Sequence, residues 1–139
     1  LIIADTGFWV GILNERDAYH AVALKTAQNL REPLITTIPV ITEVCYLLQK
    51  RRGQAFATAF LRSYRRGAFQ LFDLNDSHIA RAEQLMQQYA NLPMDFADAS
   101  LVILAESIGH GRIVSTDQRD FDTYRWKNRH PFHNLLELE

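Results

Sequence analysis

Short apolar runs alternate along the chain with longer amphipathic stretches. Leu1 to Ala4 is a continuous apolar run, the pattern of a strand buried on both faces. Asp5-Thr6 follows as a cap for a short helix through about Leu13. A second helix is predicted from about Ala18 to Leu30, and a second strand from Leu34 to Thr36. Pro39 suits the first turn of a helix reaching about Lys50. Gly53 breaks it, and another helix continues to about Arg66. Phe69 to Leu74 reads as a third strand. Asp76 or Ser77 caps a helix to about Tyr89, with Pro93 in the turn beyond. Asp95 to Ile108 reads as a helix closed by Gly109, Arg112 to Ser115 as a fourth strand, and Phe132 to Leu138 as a candidate edge strand. The alternation predicts an α/β chain: a mainly parallel central sheet of four to five strands with helices on both faces.

At 139 residues the chain suits a single domain spanning 1–139 with one core. Charge is nearly balanced at a formal −1, which excludes an overall basic nucleic-acid binder but leaves local basic patches open. Cys45 is the one cysteine, so no intrachain disulfide forms, and a reduced cytoplasm fits. No apolar run approaches the length of a membrane span. The chain opens on Leu1 rather than Met, and its apolar start is too short, and lacks the basic flank, for a signal peptide. Internal repeats, low-complexity tracts and long linkers are absent.

Within this frame four acids stand where an exposed charge is not expected. Asp5 and Asp117 each closely follow an apolar strand, at the sheet edge where open α/β folds bind ligands. Helix capping explains either one alone equally well. Asp98 shares a helix face with Leu101, Val102 and Ala105, so it points inward, where an unpaired carboxylate is costly. A salt bridge to Arg112 or Arg119 is the competing explanation, and Asp95, three residues earlier, either caps that helix or joins the acids. Glu43 lies one turn into its helix between Val40 and Leu47, a position the helix dipole also favours. Clustered carboxylates raise each other's pKa unless a cation intervenes. An all-oxygen ligand set favours Mg²⁺ or Mn²⁺ over zinc, and such a centre points to phosphoryl-transfer chemistry on nucleic acid. Other chemistries lack their residues. There is no Walker lysine motif, no G-x-G-x-x-G and no G-x-S-x-G elbow. Gly109-His110-Gly111 reads as a helix stop and turn, Cys45 as core, and the five histidines as surface or packing residues.

Four segments in order carry a family resemblance: Ile3-Ala4-Asp5-Thr6-Gly7, Thr42-Glu43-Val44, Asp98-Ala99, and Ser115-Thr116-Asp117-Gln118-Arg119-Asp120-Phe121. Together they resemble the PIN-domain ribonucleases, especially the VapC-like toxins of bacterial and archaeal toxin–antitoxin pairs. The last segment resembles the family's T-x-D-x-x-D-F, with Ser115 in the place of the first Thr. The resemblance covers essentially the whole chain. It implies a three-layer α/β/α PIN-like domain whose acidic pocket binds Mg²⁺ or Mn²⁺. Carried over residue by residue, the acids are Asp5, Glu43, Asp98 and Asp117, with Asp95 as an extra ligand or supporting acid. Thr6 and Ser115 are placed to hydrogen-bond the carboxylates or a metal-bound water, and Asp120 ranks below Asp117, as support for the turn before Phe121. The implied reaction is metal-assisted hydrolysis of an RNA phosphodiester.

The resemblance also implies partners: an RNA substrate, an antitoxin whose C-terminal segment crosses the acidic pocket, and a second copy of the chain. Phe56 and Phe60, on the helix from Gln54 to Tyr64, are candidates for a dimer or antitoxin surface, with core packing as their simpler use. Two basic groups are candidates for framing the pocket: Lys50-Arg51-Arg52 with Arg62, Arg65 and Arg66, and Arg119, Arg125, Lys127 and Arg129. Competing readings are an inactive binding module, a metal-dependent phosphatase or DNA nuclease on a similar scaffold, and an RNA-processing nuclease without an antitoxin.

Overall fold

The computed structural model describes residues 1–136. Its strands are β1 (Ile2–Ala4), β2 (Leu34–Thr37), β3 (Gln70–Phe72), β4 (Arg112–Val114), β5 (Arg125–Trp126), β6 (His130–Pro131) and β7 (His133–Asn134). Five of them form one sheet in the order β3-β2-β1-β4-β7, and β5 and β6 form a separate antiparallel hairpin. Every pairing in the large sheet is parallel, with Ile2 opposite Leu34, Ile3 opposite Ile113, Ile35 opposite Gln70 and Arg112 opposite His133. The chain steps outward from β1 to β3, then returns to place β4 on the other side of β1. The connections therefore reverse direction between β1 and β4, and a crevice opens past the carboxyl ends of those two strands. Asp5 and Ser115 are the first residues beyond them.

The helices are α1 (Thr6–Leu13), α2 (His20–Asn29), α3 (Ile38–Arg52), α4 (Gln54–Arg65), α5 (Asp76–Gln88), α6 (Phe96–Ile108) and α7 (Gln118–Thr123). They flank the sheet in the three-layer α/β/α arrangement expected from the alternation of elements. The most enclosed is α6, in which Ala97, Ala99, Ser100, Leu101, Val102, Ile103, Leu104 and Ala105 are all buried. It packs on β1, β2, α3 and α5, so its first turn is delivered against the carboxyl edge of the sheet. Two buried hydroxyls lock it there. Ser100 Oγ donates to Ala97 O at 2.6 Å, leaving Thr37 Oγ1 to donate to Ser100 Oγ at 2.6 Å. Gly109, at φ 81°, ends α6 in the left-handed conformation that glycine adopts without penalty.

Several elements depart from their sequence expectation. The helix after β3 is capped by Asn75 rather than Asp76 or Ser77, because the Asn75 carboxamide accepts from the backbone N–H groups of Ser77 and His78. The third strand is shorter than the run from Phe69 to Leu74. The edge strand is β7, and the part of its expected span beyond Leu136 lies outside the described residues. The sequence reading missed α7 and the hairpin, whose turn holds Lys127 and Asn128 at φ 52° and 60°. Phe60 is 1% exposed and stacks on Phe69 at 5.3 Å beside Trp9, so it has the core use rather than the surface one. No helix among the described residues is long and apolar enough to cross a membrane.

The backbone approach that closes the crevice depends on Gly7. A Cβ at this position would lie 1.9 Å from Thr116 Oγ1 and 3.1 Å from Thr116 Cβ, so α1 and the segment after β4 meet only where a side chain is missing. Gly7→Ala is expected to destabilise the protein by about 2 kcal/mol in urea unfolding, on the scale of an overpacked core. Adding Thr116→Ala should recover part of that loss, and two independent, additive losses would refute the contact.

Candidate metal centre

Four chain segments meet in the crevice, three of them at helix starts. The first is Asp5, which ends β1 and caps α1, its Oδ1 accepting from Thr6 N at 2.7 Å. The second is the start of α6. Asp95 caps it by accepting from Asp98 N at 2.8 Å, and Asp98 occupies the first turn. The third follows β4, where Asp117 caps α7 and Asp120 sits in that helix's first turn. Glu43 approaches from α3. Each cap is required locally, because a helix N-terminus leaves N–H groups without acceptors. Together the caps carry acids to one place.

Hydroxyl groups connect them. Ser115 Oγ donates to Asp5 Oδ2 at 2.8 Å and accepts from Asp117 N at 2.9 Å, tying the ends of β1 and β4 together. Thr6 Oγ1 donates to Glu43 Oε1 at 2.7 Å. Thr6 and Ser115 thus bond carboxylates directly. Oxygens of Asp98, Asp117 and Asp120 lie within 4.8 Å of one another. This brings Asp120 level with Asp117, although the sequence pattern ranked it as turn support. Asp120 Oδ1 is also buried without a hydrogen bond, its nearest cation being Arg119 Nε at 3.6 Å.

A salt bridge from Asp98 to Arg112 or Arg119, the competing explanation for this acid, is not formed. Arg112 instead makes a two-pronged pair with Glu32, and Arg119 stands 81% exposed. Asp98 is held by Tyr124, whose buried hydroxyl donates to Oδ2 at 2.8 Å. Nothing in the sequence singled out Tyr124, since an aromatic after Asp120-Phe121 reads as core. Four of the five histidines are engaged elsewhere: His20 bonds Gly11 O, His78 completes the α5 cap, His110 bonds Arg112 N, and His130 lies against Trp126.

Carboxylates placed this way resist ionisation. Burial first, then the charges of Asp5 and Asp95, push Asp98 up to about 8 despite the Tyr124 hydrogen bond. Burial pushes Glu43 up to about 7, opposed by Thr6 and aided by Asp95 and Asp5. Asp5 rises to about 6 through burial, against the bonds from Ser115 and Thr6. Asp117 is raised by burial and by its neighbour Asp120. A cation among these oxygens would supply the compensation that Asp5, Glu43 and Asp98 do not find among the described residues, and the donor set is all oxygen.

Stability should report this strain. Between the unfolded values near 4 and the folded values, the native state binds more protons than the unfolded chain, so its stability falls as pH rises. In EDTA, Tm is expected to drop by roughly 5 °C between pH 5 and pH 8, and Mg²⁺ at pH 8 to restore it. The lowered pKa of Glu32 acts below this window. Asp98→Asn should flatten the profile, and an EDTA profile that rises toward pH 8 would contradict the placement of these acids.

Comparison with known proteins agrees with the geometry. Ribonuclease VapC26 of Mycobacterium tuberculosis (strain ATCC 25618 / H37Rv) is 26% identical over 124 residues, spanning 89% of this chain and 92% of that protein. Among solved structures, the Mycobacterium tuberculosis toxin VapC20, described as sarcin-ricin loop cleaving, matches with a TM-score of 0.77. That match covers 84% of this chain and 90% of the other at 21% identity, and it shows the shared fold. Residues 2–127 match the family model of the PIN domain, and the chain belongs to that family.

Proposed function

We propose that this chain is a VapC-type endoribonuclease, the toxin of a toxin–antitoxin pair, with residues 1–139 acting as one nuclease domain. It hydrolyses RNA phosphodiester bonds with Mg²⁺ or Mn²⁺ held by Asp5, Glu43, Asp98 and Asp117. One observation carries the reading: desolvated carboxylates converge at the sheet crevice, and no cationic side chain among the described residues balances Asp98 or Asp5. Family membership and the VapC relatives support the same conclusion. An inactive binding module would have no use for so costly a cluster.

In this reading the acids hold and orient rather than attack. Asp98, Asp117 and Asp120 present oxygens from two helix starts, while Ser115 and Thr6 fix the carboxylates of Asp5 and Glu43. When bound, a divalent ion acidifies a water molecule and offsets charge on the phosphate. Arg119, exposed at the head of α7, is placed to meet the RNA backbone. Arg51, Arg52 and Arg125 have structural duties instead: Arg51 pairs with Asp17, Arg52 bonds Asn14, and Arg125 caps the end of α7. Action on cellular RNA places the protein in the cytoplasm.

The test is cleavage of a mixed RNA pool by the purified chain with Mg²⁺, with Mn²⁺ and with EDTA. Cutting should require the metal and fall by at least about 100-fold in folded Asp98→Asn, the scale of losing one preorganised electrostatic group. Cutting that persists in EDTA and in the variant would refute the assignment.

Self-association belongs to the same proposal, on a different face from α4. Ile38, Ile79 and Phe96 are 54%, 53% and 37% exposed, and they adjoin Phe72 and Leu74. A depression of about 460 Å³ joins Ile38 and Phe96 to Glu43 and Asp95, so this apolar patch borders the acidic pocket. An exposed apolar patch beside a site suits an interface between copies. Ile79→Glu is expected to convert a dimer to a monomer by light scattering with the fold unchanged. An unaltered mass would remove this face from consideration.

A further inference from the structure

The geometry points to Tyr124 as a positioning residue for the metal centre: its hydroxyl engages Oδ2 of Asp98, so that Oδ1 is the oxygen left for a cation. This inference rests on the metal-dependent reading above. Tyr124 stands at the C-terminal end of α7 and is 0% exposed. A phenol buried this completely must give its O–H to an acceptor, and the acceptor is the Asp98 carboxylate at 2.8 Å. No other hydrogen bond to the Asp98 side chain is found among the described residues.

The ring is braced on two sides, edge-on to Tyr89 at 5.0 Å and to Phe121 at 5.1 Å. Its backbone is fixed as well. Tyr124 N donates to Asp120 O at 2.9 Å. Arg125 Nη1 donates to the carbonyls of Asp122, Thr123 and Tyr124 at 2.7, 3.3 and 2.9 Å, and Arg125 N donates to Tyr89 Oη at 3.0 Å. The hydroxyl therefore has little freedom to follow Asp98, whereas the Asp98 carboxylate has a partner that it must follow. The same bond joins the end of α7 to the start of α6, and so sets the spacing between Asp98 and the acids Asp117 and Asp120. Groups that orient a metal ligand in this way typically contribute about 10–100-fold to metal affinity or activity.

The experiment is calorimetric titration of the full chain with Mn²⁺, comparing wild type, Tyr124→Phe, Tyr19→Phe and Asp98→Asn. Tyr124→Phe removes one oxygen and keeps the ring, and its Kd for Mn²⁺ should rise about 10-fold. Cleavage should fall at limiting Mn²⁺ and recover when Mn²⁺ is saturating, with KM for RNA unchanged. Tyr19→Phe removes the hydroxyl of an exposed tyrosine beyond the end of α1 opposite Asp5, and its Mn²⁺ affinity should match wild type. The inference alone is overturned if Asp98→Asn loses Mn²⁺ while Tyr124→Phe binds like wild type, or if the two tyrosine variants lose affinity equally. A wild-type chain that binds no Mn²⁺ overturns both the inference and the nuclease reading. If Tyr124→Phe does not fold, wild type labelled with ¹³C at the tyrosine ζ carbon gives the same information. The Tyr124 resonance should shift on Mg²⁺ titration, and a stationary resonance rejects the proposal.

Discussion

The organising constraint of this molecule is unbalanced negative charge at the carboxyl edge of its sheet. An apolar sheet and an enclosed helix, α6, bury Asp5 and half-bury Asp98, yet neither finds a cationic partner among the described residues. Burial of a lone carboxylate is resolved by protonation, by pairing or by a bound cation. Here the raised pKa values of Asp98, Glu43 and Asp5, about 8, 7 and 6, move these acids toward protonation in the metal-free state, Asp98 most of all. A cation would reverse that choice. The surrounding architecture serves to hold the acids in place at this cost.

Capping and site-building are the same act in this fold. Asp5, Asp95 and Asp117 cap α1, α6 and α7, and Asp98 and Asp120 occupy the first turns of the latter two. Helix N-termini carry partial positive charge, so each acid is favoured where it stands. Three N-termini converging on one crevice soften the repulsion that their own acids create. The question of whether Asp5 and Asp117 are caps or functional residues therefore has no exclusive answer. Each cap spends one carboxylate oxygen on a backbone N–H, and the remainder of the group faces its neighbours.

Much of this was legible in the sequence because the signals were periodic. Strand runs ending in acids located the carboxyl edge, and the stripe Leu101, Val102 and Ala105 turned Asp98 inward. What was missed has physical reasons. At six residues, α7 is too short for a helical period to show. The β5–β6 turn uses Lys127 and Asn128 at positive φ, where glycine would have announced it. An arginine was the competing explanation for Asp98 because charge pairing is the usual remedy for a buried acid, but Arg112 pairs with Glu32. Asp120 was ranked as turn support because the family segment it resembles implies that role for the acid before Phe121. Its buried, unpartnered Oδ1 is a feature of the folded structure that the sequence does not show.

The choice of a tyrosine for Asp98 follows from the same constraint. A buried arginine or lysine would neutralise the carboxylate and fill the space that a divalent ion needs. A neutral phenol orients one oxygen, adds no charge and leaves the negative potential of the pocket intact. Ser115 and Thr6 stand in the same relation to Asp5 and Glu43. At each of these acids the side-chain donor is a hydroxyl rather than a cation. The chain thus satisfies the hydrogen bonds of its acids without satisfying their charge, a local violation of good packing electrostatics of the kind expected at a functional site.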